Sequence, residues 1–341
     1  MRAALLFGPS DLRVVDRATP TPAADEALIR VVRFSPYGTD VGVYLNRGGR
    51  YVQSYPVGIG ADFGGVVEAV GNEVRNVRAG DRVTALALAH CGRCANCRAG
   101  RTNVCLDPAM LNAPRQVCAQ EYTCVTANKL AVLPAKVGFE NAAMLGGPVV
   151  ALNALGQLAP PSGATVAVVG GGAMSWGAVA TCKAKGFHPV SIGGIGRRGH
   201  LAGLVGAIEV FPIGAHDEDA SERVRARYPQ GFGHIIETTA TEWGLKQAIK
   251  LSAMSGRIAV TGGGPLPALG WDLVGRELVL SGVRAGPGQG EALAMIAAGV
   301  IDLKPTMTHR WPLERCAEAF AALTGPGASE VGRVMIDVTD A

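Results

Sequence analysis

Hydrophobic and polar positions change rhythm twice along the chain. Over residues 1–149 the apolar runs are short, with turn signals at Gly38, Gly48-Gly49, Gly71-Asn72 and Gly80-Asp81. Runs at residues 28–35, 65–70 and 82–88 predict strands in this β-rich part. From residue 150 to 285 strand-like and helix-like segments alternate. Strands are predicted at 165–169, 189–192, 208–211, 234–237, 257–261 and 278–283. Helix-length segments at 173–185, 217–228 and 242–254 lie between them. That alternation predicts a parallel sheet covered by helices on both faces. After residue 286 come helical segments at 291–298 and 313–323 and a last strand at 332–338.

Composition narrows the class. The 341 residues suggest two domains of ordinary size. With 48% hydrophobic and 18% charged residues, disorder is excluded. A net charge of +4 is too dilute for a nucleic-acid or membrane-surface footprint. Residues 141–182 carry no charge, but Pro160-Pro161 and Gly170-Gly171-Gly172 interrupt them, so they read as buried core and not as a membrane span. The N-terminal stretch lacks a secretory pattern, which predicts a cytoplasmic protein whose eight cysteines stay reduced.

Glycine is concentrated where a ligand would sit. Two windows, 170–214 and 256–290, hold 22 of the 47 glycines, about twice an even share, and they fall at predicted strand ends. The apolar strand 165–169 leads into Gly170-Gly171-Gly172-Ala173-Met174-Ser175, which has the form G-x-G-x-x-S. Gly170 permits a tight turn, and Gly172 lets backbone N–H groups approach a pyrophosphate at a helix N-terminus, next to Ala173 and Met174. Ser175 is small enough to replace the third glycine. The second strand then chooses the cofactor. A carboxylate there bonds the ribose 2′-OH in NAD enzymes. Here the window 190–198 has none and ends in Arg197-Arg198. Gly193 leaves room for a 2′-phosphate and the two guanidiniums can pair with it, which predicts NADPH.

Cysteine spacing adds a metal. Cys91, Cys94, Cys97 and Cys105 form C-x2-C-x2-C-x7-C, the pattern of a closed four-thiolate zinc site. Such a site has no open position for substrate, so one structural Zn2+ per chain is expected. Cys118, Cys124, Cys182 and Cys316 read as small apolar residues.

Together these features resemble the zinc-containing medium-chain dehydrogenase/reductase family, the alcohol-dehydrogenase-like proteins. Gly64-Gly-Val-Val-Glu-Ala-Val-Gly71 and Val77-Arg-Ala-Gly-Asp-Arg-Val83 look like its catalytic-domain signature. The resemblance implies an α/β protein. A GroES-like β-barrel catalytic domain spans 1–149, carries the zinc lobe and is completed by 286–341. A Rossmann cofactor domain with a doubly wound parallel sheet spans 150–285. It also implies that Thr238, Gly262 and Gly263 contact the cofactor, and that the chain forms a homodimer or homotetramer.

The departures from the family carry more information. The family's catalytic zinc uses a Cys before Gly-Ser/Thr-Asp, a His in Gly-His-Glu, and a later Cys or acidic residue. Here Tyr37 stands in the Cys place, Ala61 in the His place with Asp62 after it, and Gly147 in the third place. Before His188 the one histidine is His90, beside the cysteine cluster. The catalytic zinc is therefore expected to be lost. Without a Lewis acid, hydride transfer needs an acceptor activated in another way. This predicts reduction of a conjugated C=C in a small molecule such as an enone, and by family analogy a reductive ring closure in natural-product biosynthesis. Tyr37 is the candidate proton donor, Thr39 occupies the family's hydroxyl-relay place, and Asp40 and Asp62 can orient these groups. Three other readings stay open. They are an iminium reductase, an alcohol or aldehyde dehydrogenase with an unorthodox metal site, and a non-catalytic NADPH-binding protein. Residues 44–55 and 106–116 are the expected substrate-specificity loops.

Overall fold

A computed structural model describes the chain except residues 48–51, 53, 86–87, 89, 108–116, 215–216, 218–219, 266–269 and 341. Five of the twelve residues of the expected specificity loop 44–55, most of the loop 106–116, and residues 86–87 of the strand expected at 82–88 thus lie outside the described residues. The chain divides into two compact units. The first comprises Met1–Gly146, Gln289–Gly299 and Met307–Ala341, and the second Gly147–Gly288 and Val300–Thr306.

The first unit is built from strands. β1 (Arg2–Gly8) and β2 (Asp11–Asp16) form an antiparallel hairpin extended by β4 (Val57–Gly58). β3 (Glu26–Phe34) is the centre of a larger sheet. It pairs antiparallel with β5 (Phe63–Val70) and with β7 (Tyr122–Thr126). β6 (Arg82–Ala85) and β8 (Leu130–Val132) continue the sheet beyond β5. Most of β3 is buried, which is why its sequence reads as an apolar run and not as strict alternation.

The second unit holds the parallel sheet. Its strands are β9 (Thr165–Val169), β10 (His188–Ile192), β11 (Glu209–Phe211), β12 (Phe232–Glu237), β13 (Ser252–Val260) and β14 (Val279–Gly282). They lie in the order β11-β10-β9-β12-β13-β14, with every neighbouring pair parallel. Counted from β9, this is the doubly wound order 3-2-1-4-5-6, whose switch point lies between β9 and β12. Val166–Val169, Val190, Ile192, Ile235, Ile236, Ile258 and Ala259 are buried, as strands covered on both faces require.

The C-terminal segment returns to the first unit. β15 (Met307–Pro312) pairs parallel with β16 (Arg333–Asp337), and β16 pairs antiparallel with β3. Leu313, Cys316, Phe320, Val334 and Ile336 join Phe34, Phe63 and Val83 in one core.

Several elements differ from expectation. The helix expected over 242–254 is Glu242–Leu251, because Ser252 leaves the helix, pairs with Phe232 and starts β13. The segment expected at 313–323 starts as a 3-10 turn, Leu313–Arg315, before the helix Cys316–Thr324. Helices Gly38–Tyr44, Gly146–Leu158 and Arg197–Leu204 were not anticipated. Among the described residues no helix is long and apolar enough to cross a membrane.

Candidate functional site

The cysteine lobe is organised by its own backbone. Cys94 caps the helix Ala95–Arg98, its Sγ accepting from the Cys97 N–H at 3.4 Å. Further N–H groups reach the sulfurs at the same 3.4 Å: Cys94 to Cys91, Cys91 to Cys105, Leu106 to Cys94 and Asp107 to Cys105. Gly92 and Gly100 turn the chain at φ +70° and +75°. The four Sγ atoms lie within 4.8 Å of one another, and among the described residues they form the one such metal-capable group. The Leu106 and Cys97 N–H donors hold the Cys94 thiol low, at about 6. Four sulfurs at this density repel one another as thiolates unless a cation sits among them. A soft divalent ion such as Zn2+ therefore fits the donor set.

The dinucleotide loop follows β9 directly into the helix Ala173–Ala184. Gly170 sits at φ +136°, and a Cβ there would lie 2.2 Å from Thr238 Oγ1. Thr238 in turn donates its hydroxyl to the Val169 carbonyl at 2.8 Å. Ser175 explains the missing third glycine. Its buried Oγ accepts from the Gly172 N–H and donates to the Gly172 carbonyl, both at 2.8 Å, so it closes the turn from within. Gly171, Gly172, Ala173 and Met174 all stay partly exposed. The first N–H groups of this helix have no intrahelical acceptors, which is the arrangement that receives a pyrophosphate. After β13, Gly262 packs on Ala240, where a Cβ would meet the Ala240 Cβ at 2.4 Å, whereas nothing crowds Gly263.

The second strand ends in the same unit. Gly193, at φ +132°, abuts Gly170, where a Cβ would meet the Gly170 carbonyl carbon at 2.9 Å. Arg197 and Arg198 open the helix Arg197–Leu204, with Arg197 exposed and Arg198 half-buried. Burial lowers the pKa of Arg198, which remains a cation at neutral pH.

In the first unit the residues assigned to catalysis separate into two groups. Tyr37 and Asp62 come together around Gly146. The Tyr37 hydroxyl donates to the Met144 carbonyl at 2.7 Å, and Asp62 Oδ2 accepts from the Gly146 N–H at 3.1 Å. A Cβ on Gly146 would lie 2.3 Å from that Asp62 oxygen and 3.5 Å from Tyr37 Cζ. Asp40 acts locally. Its buried Oδ2 accepts from the Tyr37 N–H at 2.8 Å and fixes the start of the helix Gly38–Tyr44. Thr39 is exposed on that helix. Ala61, in the place of the family's histidine, is 2% exposed.

One residue at this site escaped the sequence reading. Arg333, the first residue of β16, is 3% exposed, and its guanidinium carbon lies 4.0 Å from the centroid of the Tyr37 ring. Its Nη2 donates to the Ala143 carbonyl at 3.3 Å, while Nε and Nη1 are buried with no hydrogen-bond partner among the described residues. A charged residue at the head of the apolar run Val334-Met335-Ile336, within the predicted strand 332–338, is the signal that could have marked it, since a buried guanidinium stays charged and is costly.

Comparison with known proteins follows the same division. The family model described as the alcohol dehydrogenase GroES-like domain matches residues 23–135. Sorbitol dehydrogenase of Bacillus subtilis (strain 168) is 27% identical, over 94% of this chain and 92% of its own. L-threonine 3-dehydrogenase of Saccharopolyspora erythraea is 29% identical, over 99% of each chain. A crystal structure described as a short chain alcohol dehydrogenase from E. coli CFT073, complexed with NADH, has a TM-score of 0.84, 25% identity and 99% coverage of both chains. Relatedness to named dehydrogenases that runs end to end through both units, with a GroES-like match in the first part, makes the chain similar to the zinc-containing type of the medium-chain dehydrogenase/reductase family and supports an oxidoreductase.

Proposed function

We propose that the protein is an NADPH-dependent reductase that acts on an activated C=C of a small molecule, such as an enone, with structural zinc but no catalytic zinc. The observation that carries this reading is the donor set at the family's catalytic-metal position. Tyr37 stands there with its hydroxyl committed to the Met144 carbonyl, Ala61 offers only a methyl group, and Gly147 has no side chain. Asp62 Oδ2 fills the space that a side chain on Gly146 would need. Asp62 and Asp40 alone are too few ligands for a tight zinc site.

The hydride would come from NADPH when it is bound. The chain's own residues supply the rest. Hydride addition to the β-carbon of an enone leaves an enolate, and a proton then adds to the α-carbon. Tyr37 is the donor of that proton, directly or through a water, once its hydroxyl turns away from the Met144 carbonyl. Arg333, 4.0 Å from its ring, is a fixed positive charge that stabilises the phenolate left behind. Asp62 and Asp40 hold the backbone at Gly146 and Tyr37, so their role is orientation. An iminium acceptor fits the same logic, because its carbon is already electrophilic. A reductive ring closure would follow if the enolate attacked a second electrophile in the same substrate.

Cofactor choice follows from β10 and the residues after it. Gly193, held against Gly170 at φ +132°, has no room for the carboxylate that NAD enzymes carry there, and Arg197 and Arg198 offer charge to a 2′-phosphate. Fluorescence titration should give NADPH a Kd at least about tenfold below that of NADH, from charge-assisted hydrogen bonds worth roughly 1.5–3 kcal/mol each. Equal affinities would overturn the assignment. The named relatives are dehydrogenases, which favours a second reading, alcohol oxidation at an unorthodox metal site. Turnover of enones with NADPH, with plain alcohols inert in the presence of NADP+, supports the first reading; the reverse pattern supports the second.

A further inference from the structure

The loop after β10 and the phosphate loop after β9 touch backbone to backbone. A Cβ on Gly171 would lie 2.1 Å from Gly194 Cα, and a Cβ on Gly199 would lie 2.4 Å from the Gly194 carbonyl oxygen. Position 193–194 is therefore clamped between the turn that receives the pyrophosphate and the helix that begins at Arg197. One side chain closes this clamp. Trp176, on the first turn of the helix Ala173–Ala184, is 2% exposed, and its indole N–H donates to the backbone carbonyl of Arg198 at 3.1 Å. Indole carries a single donor, and a buried one that finds its partner is both a hydrogen bond and a positional constraint.

A phenyl side chain at 176 would fill much of the same core volume without donating to the residue 198 carbonyl. Nothing in the G-x-G-x-x-S turn requires an indole there, since Ser175 already closes that turn. The bond joins the helix that carries the pyrophosphate turn to the peptide that carries the half-buried guanidinium. It thus fixes the spacing between two groups that must engage two phosphates of one ligand.

We propose that Trp176 is a positioning residue for cofactor specificity. Its indole N–H holds the Arg198 peptide in register with the phosphate loop, so that the Arg197-Arg198 pair meets the 2′-phosphate of the bound dinucleotide. This role rests on the NADPH assignment made above. It is distinct from packing, because packing serves NADH and NADPH alike, whereas register at residue 198 matters only to a ligand bearing the extra phosphate.

The test uses the full chain and titrates NADPH and NADH against wild type, Trp176→Phe, Arg198→Met and the double variant. Phe keeps the aromatic volume and removes the donor. Trp176→Phe should raise the NADPH Kd about fivefold, the scale of one neutral hydrogen bond, and move the NADH Kd by less than twofold. In the Arg198→Met background the same change should have little further effect on NADPH, because the group it positions is gone. Equal weakening of both cofactors, no weakening of either, or full additivity in the double variant would each overturn the positioning role. A wild type that binds NADPH no better than NADH would instead overturn the cofactor assignment itself, so the two failures are distinguishable.

Discussion

Replacing Tyr37 by Phe should lower kcat on a reducible acceptor by about 10²-fold or more while leaving the NADPH Kd unchanged. General acid catalysis by a placed side chain contributes on the order of 10²–10⁴-fold, and this variant removes the proton and little else. The ring keeps its place 4.0 Å from the Arg333 guanidinium, and the Tyr37 N–H keeps its bond to Asp40. What is lost is the 2.7 Å hydrogen bond to the Met144 carbonyl, which costs about 1 kcal/mol and does not threaten folding. Steady-state kinetics with NADPH and an accepted enone reads the effect, and a deuterium-labelled solvent reports the proton transfer. Unchanged turnover would remove Tyr37 from the chemistry and leave it as a filler of the space vacated by a metal ligand.

The second large effect concerns stability. Replacing Cys97 by Ser should abolish metal retention and lower Tm by several degrees. The described part of the lobe contains one four-residue helix and one 3-10 turn, Thr102–Val104, with no long apolar segment of its own. Its order depends on sulfurs within 4.8 Å of one another and on the N–H groups aimed at them. Structural zinc binding is worth about 10 kcal/mol or more in small metal-folded peptides, and here it acts as local folding energy. Limited proteolysis should cut the variant within residues 91–107 while wild type resists. Cys124→Ser, outside the cluster, serves as control and should keep its metal. A Cys97→Ser protein with wild-type Tm and metal content would refute the structural site.

The legible parts of the fold were those where one residue type has a single physical use. The run 165–169 could be placed to the residue because a strand covered on both faces must be apolar throughout. Four cysteines at that spacing could be assembled because sulfur ligation fixes them whatever the surrounding secondary structure. Short helices were not legible. Gly38–Tyr44 starts with glycine and depends on Asp40 reaching back to the Tyr37 N–H, a contact that periodicity does not reveal. Glu242–Leu251 was drawn too long because the pairing of Ser252 with Phe232 is a tertiary event that overrides local helix preference. Arg333 was missed for the same reason. Its meaning comes from a ring about 300 positions earlier in the chain, brought beside it when β16 docks on β3. Thr39 was placed by the family's hydroxyl-relay pattern and Asp40 as an orienting group, and a sequence pattern could not show that Thr39 lies exposed on its helix while Asp40 Oδ2 accepts from the Tyr37 N–H.

The central claim is that the first unit keeps a structural metal and has replaced the catalytic one by a tyrosine and a buried guanidinium. Elemental analysis of the purified protein, with zinc and chain concentration measured on the same sample, tests it most directly. One zinc per chain, falling to none in the Cys97→Ser variant and unchanged in Tyr37→Phe, is the predicted result. Two zinc ions per chain, with one lost in a variant of Tyr37, Asp40 or Asp62, would contradict it.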